Sequence, residues 1–164
     1  MAKKAAGTPA LDILTAAGVA FSVHEYDHEA RHHFGDETVA ALGVPAVRVF
    51  KTLLASLTGA GKPELAVGVV PVSGQLDLKA LASTLGAKKA EMADPAVAQR
   101  SSGYVVGGIS PLGQRTRLRT VIDASAMSFG TVLVSGGRRG LQVELAPADL
   151  VRLTEAIIAE IGRL

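Results

Sequence analysis

The hydrophobic and polar positions divide the chain into short helices and short strands. Apolar residues recur at helical spacing in "ALDILTAAG", which follows Thr8 and Pro9 and ends at Gly18. A threonine followed by proline is typical of a helix N-terminus, and glycine is typical of a helix C-terminus. The next segment, "VAFSVHEY", alternates polar and apolar residues well enough to predict a strand.

Aspartates mark the starts of three further predicted helices. Asp36 precedes "ETVAALG", which we expect to end at Gly43. Asp77 precedes "LKALASTLG", and Asp94 precedes Pro95 at the head of "PAVAQR". Because an aspartate side chain can accept hydrogen bonds from the first free N–H groups of a helix, each position predicts an N-cap.

The remaining pattern predicts strands followed by one closing helix. Two apolar runs, "VFKTLLASL" and "ELAVGVVP", flank the turn "TGAGKP" and predict a hairpin. Four later runs predict short strands: "YVVG", "RTVIDAS", "TVLVS" and "LQVELA". Pro147 opens "ADLVRLTEAIIAEIGRL", in which Leu150, Leu153, Ile157 and Ile161 recur at helical spacing. These elements indicate the α+β class, and irregular alternation argues against a doubly wound nucleotide fold.

Length and composition indicate a single self-sufficient domain, residues 1–164. A chain of 164 residues can bury a core without disulfides or metals, and it contains no cysteine. The absence of cysteine excludes a thiol nucleophile and a disulfide framework, and it fits a reducing cytoplasm. No apolar run reaches the length of a membrane span and no signal-peptide core is present, so we expect a cytoplasmic protein without membrane contact.

The charge pattern gives only a weak indication of nucleic-acid binding. The chain has 17 basic and 15 acidic residues, a net charge of +2, and only 4% aromatic residues. Arg115, Arg117 and Arg119 would share one face if "QRTRLRT" were extended, either as a phosphate track or as a charged sheet edge. Arg138 and Arg139 follow a predicted hairpin turn, where they are solvated or contact a phosphate. Because aromatic residues are few, base stacking along an extended single strand of nucleic acid is not expected. A contact with phosphates or with one terminal nucleotide remains open.

Histidines cluster in one stretch but do not predict a metal site. "HEYDHEARHHF" contains His24, His28, His32 and His33, and the spacing of His28 and His32 would suit zinc on a helix. No further ligand follows at a matching offset, so we expect no metal. Nor does the order of serine, histidine and aspartate residues predict a catalytic triad.

Two features do point to a ligand. Lys51 interrupts the apolar run "VRVFKTLLASL", and a buried unpaired ammonium is costly. This lysine therefore pairs with a carboxylate, reaches solvent, or faces a cavity that binds an anion. The stretch "GYVVGGISPLGQ" contains Gly107 and Gly108, which either bring backbone N–H groups close to a ligand or form a tight corner. It matches neither a Walker loop nor a dinucleotide fingerprint.

Three segments in order, "FGDETVAALGVPAVRVFKTLL", "PVSGQLDLKALASTLGAKKAEMADPAVAQRSSGYVVGGISPLGQ" and "VSGGRRGLQVEL", resemble the YbaK family. These Cys-tRNA(Pro)/Cys-tRNA(Cys) deacylases are relatives of the editing domain inserted in bacterial prolyl-tRNA synthetases. The most specific elements are the lysine of "FKTL" and the G-x-x-x-P element from Gly107 to Pro111. The resemblance implies a mixed, barrel-like sheet with surrounding short helices, and hydrolysis of the ester between cysteine and the terminal ribose of tRNA. The substrate's own thiol would attack this ester, and no cofactor is implied.

The resemblance also implies roles for particular residues. Lys51 would contact the terminal adenosine phosphate or the aminoacyl end, and the N–H groups of Gly107 and Gly108 would face the developing oxyanion. The remaining expected substrate-binding residues are Tyr26, Phe34, Ser110 and Pro111. Gln142 stands where the family pattern has an acid, so a carboxylate role at that position is not expected here.

The expected partners are aminoacyl-tRNA and, by family analogy, prolyl-tRNA synthetase. Two alternatives remain at this point. The chain could remove another small amino acid, such as alanine, from tRNA(Pro), and the volume of the pocket would then determine which amino acid is accepted. Alternatively, it could bind tRNA ends or a synthetase without catalysis.

Overall fold

The protein combines short helices with three β-sheets, as seen in a computed structural model that describes residues 7–27, 34–59 and 61–163. The α-helices are α1 (Pro9–Ala17), α2 (Phe34–Leu42), α3 (Leu78–Thr84), α4 (Pro95–Ser102) and α5 (Pro147–Thr154). The strands are β1 (Phe21–Glu25), β2 (Phe50–Thr58), β3 (Glu64–Pro71), β4 (Gln75–Leu76), β5 (Lys89–Met92), β6 (Arg119–Asp123), β7 (Val132–Ser135), β8 (Leu141–Leu145), β9 (Ile157–Ala159) and β10 (Gly162–Arg163). Short 3-10 helices lie at Ala46–Arg48 and Ala124–Ser128.

The strand order confirms the α+β class. The largest sheet has the order β5-β2-β3-β6-β9, in which β2 is antiparallel to β3 and β5, whereas β6 is parallel to β3 and β9. An antiparallel sheet has the order β1-β8-β7, and β4 pairs with β10. The mixed strand directions are as expected. However, none of these sheets closes into a barrel within the described residues. No helix in the described ranges is long and apolar enough to cross a membrane.

Local capping signals account for most helix starts. The Thr8 hydroxyl accepts a hydrogen bond from Leu11 N, and the carboxylates of Asp77 and Asp94 cap α3 and α4. These three N-cap predictions are confirmed. The prediction for Asp36 is wrong, because α2 already begins at Phe34, and sequence signals locate a helix start only to within a residue or two.

Strand β2 is buried on both faces. It pairs with β3 from Phe50 to Leu57, which confirms the predicted hairpin. Phe50 and Leu54 belong to the core that lies against the small sheet, whereas Ala55 and Leu57 belong to a second core packed with α3. Side chains alternate between the faces of a strand, so one strand contributes to both cores.

The C-terminal segment differs from its prediction as one helix. Helix α5 ends at Thr154, and Glu155 adopts a left-handed conformation with φ 53°. The following residues form β9, parallel to β6, with Ile157 opposite Val121. Ile161 is fully buried in the second core. Isoleucine is more frequent in strands than in helices. Pairing with β6 also supplies backbone hydrogen bonds to a segment far away in the chain, and the spacing of apolar residues gives no sign of that pairing.

Two other predicted extended segments are loops. "YVVG" lies in a turn, and β6 begins only at Arg119, so the three arginines of "QRTRLRT" do not share a strand face. Arg117 forms an ion pair with Glu155, and Arg119 Nη2 lies 2.5 Å from a carboxylate oxygen of Glu64. These acidic partners offset the positive charge of the two arginines, which a binding surface for phosphates would need.

The Asp123 side chain ties the C-terminal strands to the end of β6. It accepts hydrogen bonds from Ser125 N and Oγ and from the backbone N–H groups of Ile161 and Gly162, at 2.5–3.2 Å. Burial alone raises the pKa of Asp123, but these hydrogen bonds outweigh burial and hold the pKa below its usual value of 3.8. The charged carboxylate therefore stabilises the fold.

We predict that Asp123→Asn lowers the free energy of unfolding at pH 7 by about 1–3 kcal/mol, because an amide oxygen replaces the charged acceptor. The contribution of a carboxylate with a depressed pKa is present above its unfolded pKa and is lost as the pH falls through its folded pKa. The difference in unfolding free energy between wild type and variant should therefore become smaller below about pH 4, as measured by urea unfolding at a series of pH values. Asp149→Asn, which removes an exposed pair with Arg152, serves as the control. A gap that stays constant down to about pH 2.5 would contradict this role.

Candidate active site

A cavity of about 450 Å³ opens at the edge of β2. One edge of this strand pairs with β3, whereas the other edge pairs with β5 only over Ala55–Thr58 in the described chain. At the start of β2, Val49 forms a parallel bridge with Leu133 of β7. The cavity lies between these two points. Most of its lining is apolar: Val49, Phe50, Leu53, Leu54, Val72, Met92, Ala93, Pro95, Ala98, Val106 and Ile109.

Lys51 lies in this cavity wall. Its backbone is opposite Val70 in the β2–β3 pairing, and the residue is half-buried. Among the described lining residues it is the only ionisable side chain. The structure therefore places this lysine at a cavity, which is one of the three alternatives that the sequence left open. A cation in a mostly apolar cavity suits an anionic or strongly polarised group of a ligand.

The glycine-rich stretch forms a tight turn beside the cavity. The turn runs from Val105 to Gly108, and Gly108 N donates to Val105 O at 2.8 Å. Its third residue, Gly107, has φ 95°, a positive value that favours glycine at this position. Gly107 lines the cavity. The N–H of Gly108 is already engaged, so only Gly107 remains a candidate oxyanion donor of the predicted pair.

Gly108 has a packing role instead. A Cβ atom at this position would lie 2.6 Å from the Cα atom of Arg138 and 2.8 Å from the backbone N of Arg139. The turn between β7 and β8, where the sequence predicted a hairpin, therefore packs directly against the glycine turn. Only glycine permits this approach of two backbones without displacement.

Two buried side chains that the sequence analysis missed hold the glycine-rich loop. The Ser135 hydroxyl donates to Gly108 O at 2.9 Å and accepts from Gly137 N at 3.1 Å. The Tyr104 hydroxyl donates to Leu112 O at 2.7 Å. Burial raises the pKa of Tyr104 to about 12, so this donor stays protonated at neutral pH. A serine ending an apolar strand was the available signal for Ser135.

Ser110 and Pro111 are buried and are not among the described lining residues. The Ser110 hydroxyl accepts from Leu112 N at 3.2 Å, and its carbonyl accepts from the Gln114 side chain at 3.0 Å. In this structure both residues shape the loop from within.

The predicted aromatic residues lie differently. The Tyr26 and Thr38 hydroxyls form a 2.5 Å hydrogen bond, and Thr38 lines the cavity. Tyr26 also lines a surface recess of about 540 Å³ together with Arg138 and Arg139. The Arg138 guanidinium lies 2.7 Å from a Glu25 carboxylate oxygen. Phe34 begins α2, but its side chain lies outside the described residues.

The histidine stretch adds no described metal site. His28, His32 and His33 lie outside the described residues, and no group of three potential ligands occurs within the described ranges. His24 Nε2 lies 2.8 Å from a carboxylate oxygen of Glu144. Hydrogen bonds from Thr131 and His24 lower the pKa of Glu144, which also pairs with Arg48. This network joins β1 and β8 to the 3-10 helix before β2 and to the residue that precedes β7, so these side chains have a structural role.

An α+β fold with a small, mostly apolar cavity, and with one lysine and a glycine turn in the cavity wall, is typical of a domain that binds a small ligand. The family model of the aminoacyl-tRNA editing domain matches residues 28–153. The chain belongs to this family, and its resemblance to YbaK proteins is confirmed.

Individual relatives agree with this assignment. The chain is 34% identical over 154 residues to EbsC of Enterococcus faecalis, assigned as a Cys-tRNA(Pro)/Cys-tRNA(Cys) deacylase, and the match covers 94% of this chain and 92% of the relative. It is 27% identical over 114 residues to the multifunctional Ser/Thr-tRNA deacylase ProXp-y of Escherichia coli, covering 69% and 68%. A crystal structure assigned as a trans-editing enzyme for prolyl-tRNA synthetase has a TM-score of 0.81 at 22% identity, covering 98% and 100%. That structure shows the shared fold.

We predict that Gly108→Ala displaces the glycine turn, because the added methyl group meets backbone atoms of the β7–β8 turn. Overpacking of this kind costs about 1–3 kcal/mol of unfolding free energy, and aminoacyl-tRNA deacylation should fall as well. Gly130→Ala is the matched control, since a methyl group there would meet nothing within 4 Å beyond its own chain neighbours. Urea unfolding and turnover are measured on both variants. Equal behaviour of the two would show that the close approach at Gly108 is dispensable.

Proposed function

We propose that this chain is a trans-editing hydrolase that deacylates mischarged Cys-tRNA(Pro). The observation that carries the proposal is the position of Lys51 and Gly107 in the wall of one small cavity. Family membership and the names of the relatives support deacylation of aminoacyl-tRNA. The volume of about 450 Å³ suits a small aminoacyl group with part of the ribose that carries it.

The substrate's thiol is the proposed nucleophile. Its sulfur attacks the ester carbonyl carbon, a sulfur–carbon bond forms, and the carbon–oxygen bond to the ribose breaks. The proton lost by the thiol goes to the ribose oxygen, so tRNA leaves with a free hydroxyl. Cysteine leaves as a cyclic thiolactone, which water then hydrolyses.

The protein's contribution in this scheme is position and polarisation. The apolar walls hold the thiol close to the carbonyl, and such intramolecular placement can lower a barrier by about 7 kcal/mol in favourable cases. The Gly107 N–H is the proposed donor to the developing oxyanion. The Lys51 ammonium is proposed to bind the terminal phosphate or the polarised ester, where its positive charge is most stabilising.

The recess that Tyr26, Arg138 and Arg139 line together with Glu25 and Asp27 is the proposed approach for the tRNA end. It is connected to the cavity through the Tyr26–Thr38 hydrogen bond and through the contact of Gly108 with the Arg138 backbone. The modest net charge of +2 implies a small footprint on tRNA. We propose that prolyl-tRNA synthetase supplies the remaining tRNA selectivity.

Deacylation of Cys-tRNA(Pro), Ser-tRNA(Pro) and Ala-tRNA(Pro) by the purified protein tests this function. We predict rapid loss of the cysteinyl ester alone, because a hydroxyl is a far poorer nucleophile than a thiol. Lys51→Ala should reduce this turnover by about 100-fold while the circular dichroism spectrum is unchanged. Lys62→Ala, which removes an exposed lysine in the β2–β3 turn, is the matched control.

A Lys51→Ala protein with wild-type turnover would overturn the role of this lysine. Hydrolysis of the seryl ester at the cysteinyl rate would overturn the thiol mechanism and favour a second candidate function. That candidate, deacylation of seryl-tRNA by an activated water, is suggested by the name of the Escherichia coli relative.

A further inference from the structure

The cavity lies between the large sheet and the antiparallel sheet β1-β8-β7. Its lining includes residues of β2 on one side and Ser135 and Gln142 on the other. In the part of the chain that the structure describes, one backbone bridge, from Val49 to Leu133, pairs these two sheets. Oγ1 of Thr52 and Oε1 of Gln142 are buried without a hydrogen-bond partner among the described residues, so these oxygen atoms do not join the sheets. Contacts at the end of the cavity therefore help to set its width.

Arg48 forms a polar junction between the two sheets at the position of this bridge. It is the last residue of the 3-10 helix that precedes β2. Its Nε donates to Thr131 O at 3.1 Å, and its Nη2 donates to Thr131 Oγ1 and to Glu144 Oε2, both at 2.9 Å. Glu144 is directly opposite Leu133 in the β7–β8 pairing. The backbone bridge and the side-chain junction therefore act on the same point of the small sheet.

The acceptor of this junction is itself held in place. The Thr131 hydroxyl donates to Glu144 Oε2 at 2.5 Å, and His24 Nε2 lies 2.8 Å from Glu144 Oε1. These hydrogen bonds lower the pKa of Glu144, so its carboxylate is charged at neutral pH. The side chains of Arg48 and Glu144 are 29% and 25% exposed, respectively. A planar guanidinium that binds several fixed acceptors has a well-defined position.

The junction is adjacent to the cavity wall but does not belong to it. Lys51 follows Arg48 by three residues, and Gln142 lies on the same face of β8 as Glu144. Lys51 and Gln142 line the cavity, whereas neither Arg48 nor Glu144 is among the described lining residues. An influence of Arg48 on a bound ligand would therefore pass through the position of β2.

We propose that Arg48 is a positioning residue, which holds the start of β2 against the small sheet and thereby places Lys51 for deacylation. This inference rests on the proposed function, in which Lys51 acts on the aminoacyl end. A displacement of reacting groups by about 1 Å can slow a reaction by on the order of 100-fold. Phe50 and Leu54 keep their contacts in the core when the junction is lost, so the chain should still fold.

Arg48→Lys tests the junction without changing the net charge. Lysine keeps the positive charge but lacks the planar fork that binds Thr131 and Glu144 together. We expect kcat/KM for deacylation of Cys-tRNA(Pro) to fall about tenfold. Arg119→Lys is the matched control, because two nitrogens of Arg119 bind the carboxylate of Glu64 away from the described cavity lining. The control should keep the wild-type value, and a wild-type value for Arg48→Lys would overturn the inference.

A double-mutant cycle separates placement of Lys51 from a general structural effect. The kcat/KM values are measured for the wild type, Arg48→Lys, Lys51→Ala and the double variant. If Arg48 acts by placing Lys51, adding Arg48→Lys to Lys51→Ala should lower kcat/KM by less than about twofold. A loss of the same size in both backgrounds would show that Arg48 acts independently of Lys51 and would overturn the inference.

Variants of Glu144 test the junction from its other side. Glu144→Gln keeps an oxygen acceptor for Arg48 and Thr131, whereas Glu144→Leu removes it. The leucine variant should lose as much activity as Arg48→Lys, and the glutamine variant should stay within about twofold of wild type. Equal losses in the two variants would overturn positioning by these hydrogen bonds and leave the deacylase function standing. A wild-type protein that deacylates no aminoacyl-tRNA would overturn both proposals.

Discussion

The site depends on the incomplete pairing of one edge of β2. Along its other edge this strand is paired with β3 from Phe50 to Leu57, which fixes its position in the large sheet. On the cavity side, the bridge at Val49 joins it to β7, and pairing with β5 begins only at Ala55. Within residues 7–27, 34–59 and 61–163, the β2 residues between these points, including Lys51, reach a cavity and not another strand. A fully paired edge would close this space, as neighbouring strands lie only about 4.8 Å apart.

The second wall of the cavity comes from two turns that hold each other. The glycine turn packs on the backbone of Arg138, and Ser135 fastens the same turn to β7. Tyr104 fastens the far side of the loop through Leu112. These buried anchors hold the loop that presents Gly107, and a site that acts by positioning requires such support. The proposed thiol chemistry therefore needs little from the side chains beyond shape, one cation and a few polar contacts.

Local sequence signals predicted the elements better than the site. Caps such as Thr8 and Asp77 act within one turn of helix, so the sequence was sufficient to locate them. The strand at Ile157 was missed because its pairing with β6 joins residues far apart in the chain. Lys51 is visible in the sequence as a charge in an apolar run, whereas the unpaired state of Thr52 and Gln142 emerges only when two sheets meet at the cavity. Each of these two residues shares its strand with other polar residues, so the sequence alone does not single it out.

In the proposed function the aminoacyl end of tRNA binds in the cavity at the β2 edge. A crystal structure of the protein with 3′-cysteinylamino-3′-deoxyadenosine would show where this end binds. We expect the cysteinyl group inside the cavity, with its carbonyl oxygen within hydrogen-bond reach of Gly107 N and the nucleoside towards Lys51. A cysteinyl group bound outside the cavity, for example in the recess beside Arg139, would rule out this binding mode.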